Sequence, residues 1–362
     1  MKYVIDTEKR PLYLQLYRQI RDDIVNGVYS YSSKLPSKRV LAEETSVSTI
    51  TVEHAYALLC DEGYAEGRPR SGYVVMFRKS DGFASLAGGE NVDRSAYHAE
   101  HASSDFPISV FKKTMRRVLS DHGDLLLEKT PNQGCIKLRE AIKRYLARNR
   151  GIVVATEQII IGAGSEYLYG LLLELLGRCH VFAIESPSYN KIEQVYRATE
   201  MHYELLPLTL SGIDSQALLQ TQADILHTTP YRSYPSGVTA TATKRHEYVA
   251  WAGKKGRYII EDDFESEFSV LTKPTETLFA LSDQDNVIYL NTFSKTISPS
   301  LRVGYMVLPK HLVGVFEEKL GFYSCTVSTF LQHVLTELID NGDFERHINR
   351  VRRRIRKELD ER

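Results

Sequence analysis

Five short apolar runs between residues 158 and 290 each end in residues that could do chemistry. Gln158 to Ile161 is followed by Gly162-Ala-Gly-Ser-Glu166, a glycine-rich turn leading into the helical stretch Tyr167 to Leu176. The free backbone N–H groups of such a turn suit an anion. His180 to Ile184 is followed by Glu185-Ser-Pro-Ser-Tyr-Asn190, which offers Tyr189 as an aromatic face. Ala223 to His227 runs into Thr228-Thr-Pro-Tyr-Arg-Ser-Tyr-Pro-Ser-Gly237, and Arg257 to Ile260 gives way to Glu261, Asp262 and Asp263. Val287 to Leu290 leads to NTFSKTISPSLR, which sets Lys295 among small hydroxyl residues with Arg302 seven positions on.

A phosphate cradle, an aromatic platform, a carboxylate, a lysine and an arginine together suit pyridoxal 5′-phosphate. A lysine amine condenses with its aldehyde, a buried carboxylate keeps the pyridine nitrogen protonated, and an aromatic ring stacks on its face. Backbone N–H groups, hydroxyls and a guanidinium take the phosphate. Singly, each residue has a plainer role: a lysine after a strand is usually solvated, paired acids at a strand end cap helices or bind metal, and a tyrosine packs. Their order at successive strand ends is what points to the cofactor.

Strand-like runs alternating with helical ones, from Gln158 to the run Arg302 to Leu308, predict an α/β unit with a mainly parallel sheet covered on both faces. In such sheets ligands bind outside the carboxyl ends of the strands. The chain has 362 residues, more than one domain usually holds. Its composition, 43% apolar and 25% charged, is that of an ordered globular protein. A formal net charge of zero means that any nucleic-acid surface is a local patch. No apolar run is long enough to span a bilayer and no leader-like segment opens the chain. Cys60, Cys135, Cys179 and Cys325 have no zinc-type or redox-type spacing and read as reduced thiols, which fits a cytoplasmic protein.

Residues 11 to 76 read as three helices and a hairpin. Leu16, Tyr17, Ile20, Ile24 and Val25 recur at helical spacing before Asn26-Gly27. Ser37 and Ser48 are placed to cap a second and a third helix, and Gly63 ends the third. Tyr64 to Glu66 and Tyr73 to Met76 flank a basic, glycine-bounded turn. Two short helices joined by a tight turn place the second in a major groove. Ser48, Thr49 and Thr51 would then face base edges or phosphates, and Ser37, Lys38 and Arg39 a phosphate. Arg68, Arg70, Ser71 and Gly72 on the turn would lie against the minor groove or its phosphates. From about Lys79 to Ser104 periodicity vanishes, as expected of a linker.

The stretch from Pro11 to Val75 resembles the winged helix of the GntR family of bacterial regulators; Thr49 stands where that family usually has an arginine. From about Asp105 onward the chain looks like the large domain of fold-type I aminotransferases. "FPISVFKKTMRRVL" matches how that domain begins, and "PNQGCIKLREAIKRYLARNRGI" its first helix. The two together are similar to the MocR/GabR group. This implies a winged helix-turn-helix over 1–78, a linker over 79–104 and a cofactor-binding unit over 105–362 with its small C-terminal subdomain largely absent. It further implies a homodimer acting on double-stranded operator DNA, with an amine or amino acid as an effector.

On that resemblance Lys295 would form the internal aldimine, Asp262 would pair with the pyridinium nitrogen and Tyr189 would stack on the ring. Ser165 and Glu166 (through backbone N–H), Thr292, Ser294 and Arg302 would hold the phosphate. Lys129 falls where a partner's tyrosine normally touches the phosphate, and Phe264 where a tyrosine normally bonds the cofactor's 3-oxygen. Three functions are compatible: a regulator that senses the cofactor, with no catalytic residue of its own; an aminotransferase with an appended DNA-binding module; and a DNA-binding regulator whose large unit no longer takes the cofactor. Transamination needs a carboxylate clamp that orients the substrate, and its expected absence favours the first.

Overall fold

The computed structural model describes residues 3–6, 11–68, 72–77, 106–254, 256–269 and 276–360. The expected linker over 79–104, and Arg70 and Ser71 of the hairpin turn, lie outside the described residues.

The head forms as the spacing predicts. In α1 (Leu12–Val25) the residues Leu16, Tyr17, Ile20 and Ile24 share one buried face. The next two helices, α2 (Lys38–Thr45) and α3 (Thr49–Asp61), both start on a serine. Ser37 Oγ accepts from Val40 N at 3.3 Å and Ser48 Oγ from Thr51 N at 3.1 Å, each satisfying an amide that the helix itself cannot. Between them Ser46 closes the turn in the left-handed region, at φ +54°. The wing is an antiparallel pair of strands, β1 (Ala65–Arg68) and β2 (Gly72–Val75).

In the large unit, α4 (Ile108–His122) and α5 (Ile136–Asn149) precede an eight-stranded sheet. Its strands are β3 (Ile159–Gly162), β4 (Phe182–Ser186), β5 (Tyr203–Thr209), β6 (Gly212–Ile213), β7 (Ile225–Thr228), β8 (Tyr258–Asp262), β9 (Val287–Thr292) and β10 (Gly304–Val307). They lie in the order β3-β10-β9-β8-β7-β4-β5-β6. The neighbours from β9 across to β5 pair parallel, whereas β10 runs antiparallel to both β3 and β9. Helices α6 (Ser165–Leu176), α7 (Asn190–Ala198), α8 (Ser215–Gln220), α9 (Ala242–Ala252), α10 (Leu278–Leu281) and α11 (Phe293–Thr296) connect the strands. After the last strand come α12 (Lys310–Leu320), α13 (Thr329–Asp340) and α14 (Asp343–Asp360).

Alternation along the strands fills both faces. Ile159, Ile161, Tyr305 and Val307 pack with Leu138, Ile142, Leu335 and Phe344, while the intervening Ile160 and Met306 pack with Leu168, Leu172 and Phe316. The sequence expectation missed β5 and β6. Pro207 interrupts the apolar run of β5 and Leu205 in it is exposed, which suits a strand near the sheet's edge, and β6 has two residues. No membrane-spanning helix is present: among the described residues none is long and apolar enough.

The head docks on the large unit through buried polar groups. Tyr17 donates to Glu276 Oε2 at 2.9 Å, and Arg21 bonds Glu276 Oε1. Glu276 N donates to Glu62 Oε1 at 3.0 Å, and Arg245 Nη2 lies 3.7 Å from Glu62 Oε2. Tyr64 bonds His246, and the head's core reaches Ala242 of α9. Burial pushes the Glu62 carboxyl up to about 7 even though Arg245 opposes that rise. Burial, reinforced by Arg21 and Arg245, pulls the His246 imidazole down to about 4.

Candidate cofactor site and nucleic-acid interface

A cavity of about 270 Å³ opens where the carboxyl ends of β3, β8 and β9 converge. It brings together Lys295, Asp262, Tyr189, Ser165, Glu166 and Thr292, and also Ser294 and Arg302. Lys129 is not among its lining residues; it stands exposed after the short turn Gly123–Leu127.

Lys295 sits in the single turn of α11 directly after β9 and is half-buried, with Nζ 5.8 Å from the centre of the Phe264 ring. Burial lowers its ammonium below the ordinary lysine value, with Arg232 adding to the drop and Glu265 opposing it. Asp262 ends β8 and is 3% exposed. Its carboxylate accepts from Tyr169, and His227 Nε2 lies 3.9 Å away without a hydrogen-bond partner of its own. Among the described residues no lysine or arginine pairs with Asp262. A buried carboxylate without a cation suits a protonated ring nitrogen.

The anion end is built from three segments. Gly164, at φ +89°, opens α6, and a side chain there would meet the Arg302 guanidinium at 2.8 Å. Arg302 itself is held in the left-handed region at φ +50°, a conformation that arginine rarely adopts. Thr292 Oγ1 accepts from Ser294 N at 3.1 Å and bonds Ser294 Oγ at 3.0 Å, so the two hydroxyls face one another.

Glu166 was expected to act through its backbone, and its side chain has a further role: it pairs with Arg302 and with Lys191 at 2.6 Å. Partial burial pushes its carboxyl up, and the bonds from Lys191 and Arg302 outweigh that and hold it at about 2. These residues fit pyridoxal phosphate: an amine, an uncompensated buried carboxylate and an anion cradle share one small cavity.

Sequence reasoning missed Tyr169, His227 and Tyr234. Tyr169 lies four residues after Ser165 on α6, a spacing that puts both on one helix face. His227 is a polar residue within a fully buried strand, a signal that was legible. Tyr234 stands in the loop after β7, where spacing says nothing of direction.

On the head, Thr49 and Arg39 are exposed, as a DNA face requires. Lys38 pairs with Glu53 at 3.0 Å and Arg68 with Glu66 at 2.9 Å, both at the surface. Ser48 Oγ lies 2.8 Å from Thr51 Oγ1, so these two hydroxyls also serve the cap. Ser37 likewise caps α2, and Gly72 starts β2 at φ +86°. Ile50, beside Thr49 and exposed, was not anticipated; its apolar side chain suits a thymine methyl.

Comparison with known proteins agrees with this architecture. Residues 12–75 match the bacterial regulatory proteins of the gntR family, and residues 95–361 match aminotransferase class I and II. HTH-type transcriptional regulator YdeL of Bacillus subtilis is 35% identical over 358 residues, which is 96% of this chain and 77% of that protein. The HTH-type pyridoxine biosynthesis transcriptional regulator PdxR of Corynebacterium glutamicum is 29% identical over 94% of this chain and 76% of its own. The large unit superposes on the kynurenine aminotransferase of Pyrococcus horikoshii with a TM-score of 0.61 at 26% identity, over 68% of this chain. The chain spans 64% of the length of that aminotransferase. This chain therefore belongs to the GntR-family transcription regulators that carry a fold-type I, aminotransferase class I and II domain.

Proposed function

We propose that this regulator binds operator DNA through its winged helix and takes pyridoxal phosphate on Lys295, and that the state of the cofactor site sets how firmly the head is docked. The observation that carries the proposal is the use of β8 in both places. Its terminal Asp262 faces the cavity, while the preceding Glu261 accepts from Leu278 N and Phe279 N at 2.9 Å each, anchoring the start of α10. Two residues before α10 stands Glu276, which holds Tyr17 and Arg21 of the head. A displacement of β8 on filling the cavity is thus passed to the head through one short helix.

When bound, pyridoxal phosphate supplies an aldehyde that condenses with a lysine amine, losing water, and a pyridine ring that accepts electrons. Lys295 offers the amine, and its lowered affinity for protons keeps more of it in the reactive form. Asp262, fixed by Tyr169, is the residue that would keep the ring nitrogen protonated. Arg302, Thr292, Ser294 and the amides of Ser165 and Glu166 would hold the phosphate, and Tyr189 would stack on the ring. Arg39, Thr49, Thr51 and Ile50 meet DNA, with Arg68, Arg70, Ser71 and Gly72 on the wing. The division into a head over 1–78, a linker over 79–104 and a cofactor unit over 105–362 belongs to this reading. So do a homodimer in which Lys129 reaches the partner's phosphate, an amine or amino acid as effector, and a cytoplasmic location.

An absorbance spectrum of purified protein with added pyridoxal phosphate tests the cofactor. A visible band that Lys295→Ala abolishes is the expected outcome; a protein that gains no band contradicts the proposal. Steady amino-group transfer to a keto acid would favour the aminotransferase reading instead.

A further inference from the structure

A second cavity, of about 790 Å³, lies in the seam between the head and the large unit. That volume suits a small organic molecule. Leu14 and Leu58 of the head and Ala147 and Ala280 of the large unit give it apolar walls, with the Tyr13 and Tyr17 rings among them. Two carboxylates, Glu62 and Glu276, also line it.

These carboxylates are not equally served. Glu276 accepts from Tyr17 at 2.9 Å and pairs with Arg21. Glu62 is 4% exposed and accepts from Glu276 N through Oε1, but its Oε2 has no hydrogen-bond partner, and Arg245 Nη2 stands 3.7 Å off. A buried carboxylate oxygen in that state costs stability until a donor reaches it. Burial holds the Glu62 carboxyl at about 7 although Arg245 opposes the rise, as expected where positive charge is short. The arginines of the lining do not supply it. Arg148 pairs with Glu345 at 3.0 Å and Arg150 with Asp263, while Arg18 is exposed and screened by solvent. An aromatic face such as that of Tyr13 also attracts a cation.

We propose that the seam cavity binds an organic ammonium ion, its N–H donating to Glu62 and its apolar body lying among Tyr13, Leu14, Leu58 and Ala280. Such an occupant touches α1 and α3 of the head and α5 and α10 of the large unit together, and so fastens the head in its docked position. Binding here is non-covalent and requires neither Lys295 nor the cofactor.

The probe is N,N-dimethyl-2-phenylethylamine. It is charged at neutral pH and keeps one N–H, and as a tertiary amine it cannot condense with an aldehyde. Its binding to the full chain with pyridoxal phosphate added is measured by isothermal titration calorimetry, with 2-phenylethanol as the uncharged counterpart of similar shape. Saturable binding of the amine is expected, about tenfold tighter than that of the alcohol, with a raised melting temperature and an unchanged visible band. Glu62→Gln should weaken it about tenfold. Because Glu62 also anchors Glu276 N, a second variant, Ala280→Phe, fills the cavity while leaving both carboxylates in place, and should weaken binding as much. It decides the matter where Glu62→Gln itself undocks the head. No saturable binding, equal affinity for amine and alcohol, or affinity unchanged in Ala280→Phe overturns the proposal. So does a visible band that shifts as the amine saturates, which would put the probe in the cofactor cavity. A chain that shows no visible band at all overturns the cofactor reading alone, and the titration still decides this one.

Discussion

Glu261 and Asp262 are neighbours on β8 whose side chains serve different masters: Asp262 faces the cavity that also holds Lys295, and Glu261 holds the first amides of α10 at 2.9 Å. Strand geometry enforces this, since successive side chains leave a strand on opposite faces. The head is attached just upstream of α10, at Glu276, which bonds Tyr17 and Arg21. Glu276→Ala removes the less exposed of the two carboxylates that pair with Arg21 and leaves it with Asp22 alone. It is expected to cost about 3 kcal/mol of docking stability, measured as a lower melting temperature for the head. The visible band with pyridoxal phosphate should stay unchanged.

Two buried groups at the docking contact oppose one another as pH falls. The His246 imidazole is pulled down to about 4, below its ordinary value of 6.5, because burial and then the nearby Arg21 and Arg245 disfavour its charge. A depressed group contributes stability above its unfolded pKa and loses it as pH falls through the folded one, so the loss runs from about 6.5 towards 4. Glu62, raised to about 7 by burial, works in the opposite sense, its cost growing as pH rises from its ordinary 4.5 towards 7. His246→Gln should therefore leave the Glu62 contribution unopposed, so that docking in the variant strengthens, relative to the unaltered protein, as pH falls from about 7 towards 4.5, read from melting temperature against pH.

Glu166 competes for the arginine that an incoming phosphate needs. It pairs with Arg302 and Lys191, and these bonds hold its carboxyl at about 2, so the competitor is charged at neutral pH. Glu166→Gln removes that competition and is expected to tighten pyridoxal phosphate binding several-fold, measured by titrating the visible band. Arg302→Ala should weaken it at least tenfold.

For the head, Ser48→Ala deletes the cap of α3 and is expected to cost about 1 kcal/mol of stability. Arg39, exposed at the start of α2, is positioned for a phosphate. Arg39→Ala should weaken DNA binding across sequences and reduce the slope of log affinity against log salt by about one, checked by fluorescence anisotropy at several salt concentrations.

Helical spacing and serine caps were enough to draw the head. The residues at the strand ends were enough to draw the cavity, because apolar runs mark strands and their ends mark the rim. What stayed hidden depends on distances along the chain that no local pattern reports. Glu276 meets Tyr17 across 259 positions. The reversal of β10 is set by pairing with β3 and β9, and its own apolar run reads the same in either direction. Glu166 gave only half its role, since its backbone position followed from the glycine-rich turn but its side chain's partner, Arg302, lies 136 residues away. Lys129 could be assigned to the phosphate only by resemblance, and within one chain it stands apart from the cavity.

The central claim is that capture of the cofactor by Lys295 alters the DNA-binding head. The direct measurement is the affinity of the full chain for DNA from its own upstream region, with and without pyridoxal phosphate, at fixed salt, for the unaltered protein and for Lys295→Ala. A several-fold change in the unaltered protein, absent in Lys295→Ala, is the predicted result. An affinity that ignores pyridoxal phosphate, or one that shifts equally in both proteins, would contradict it.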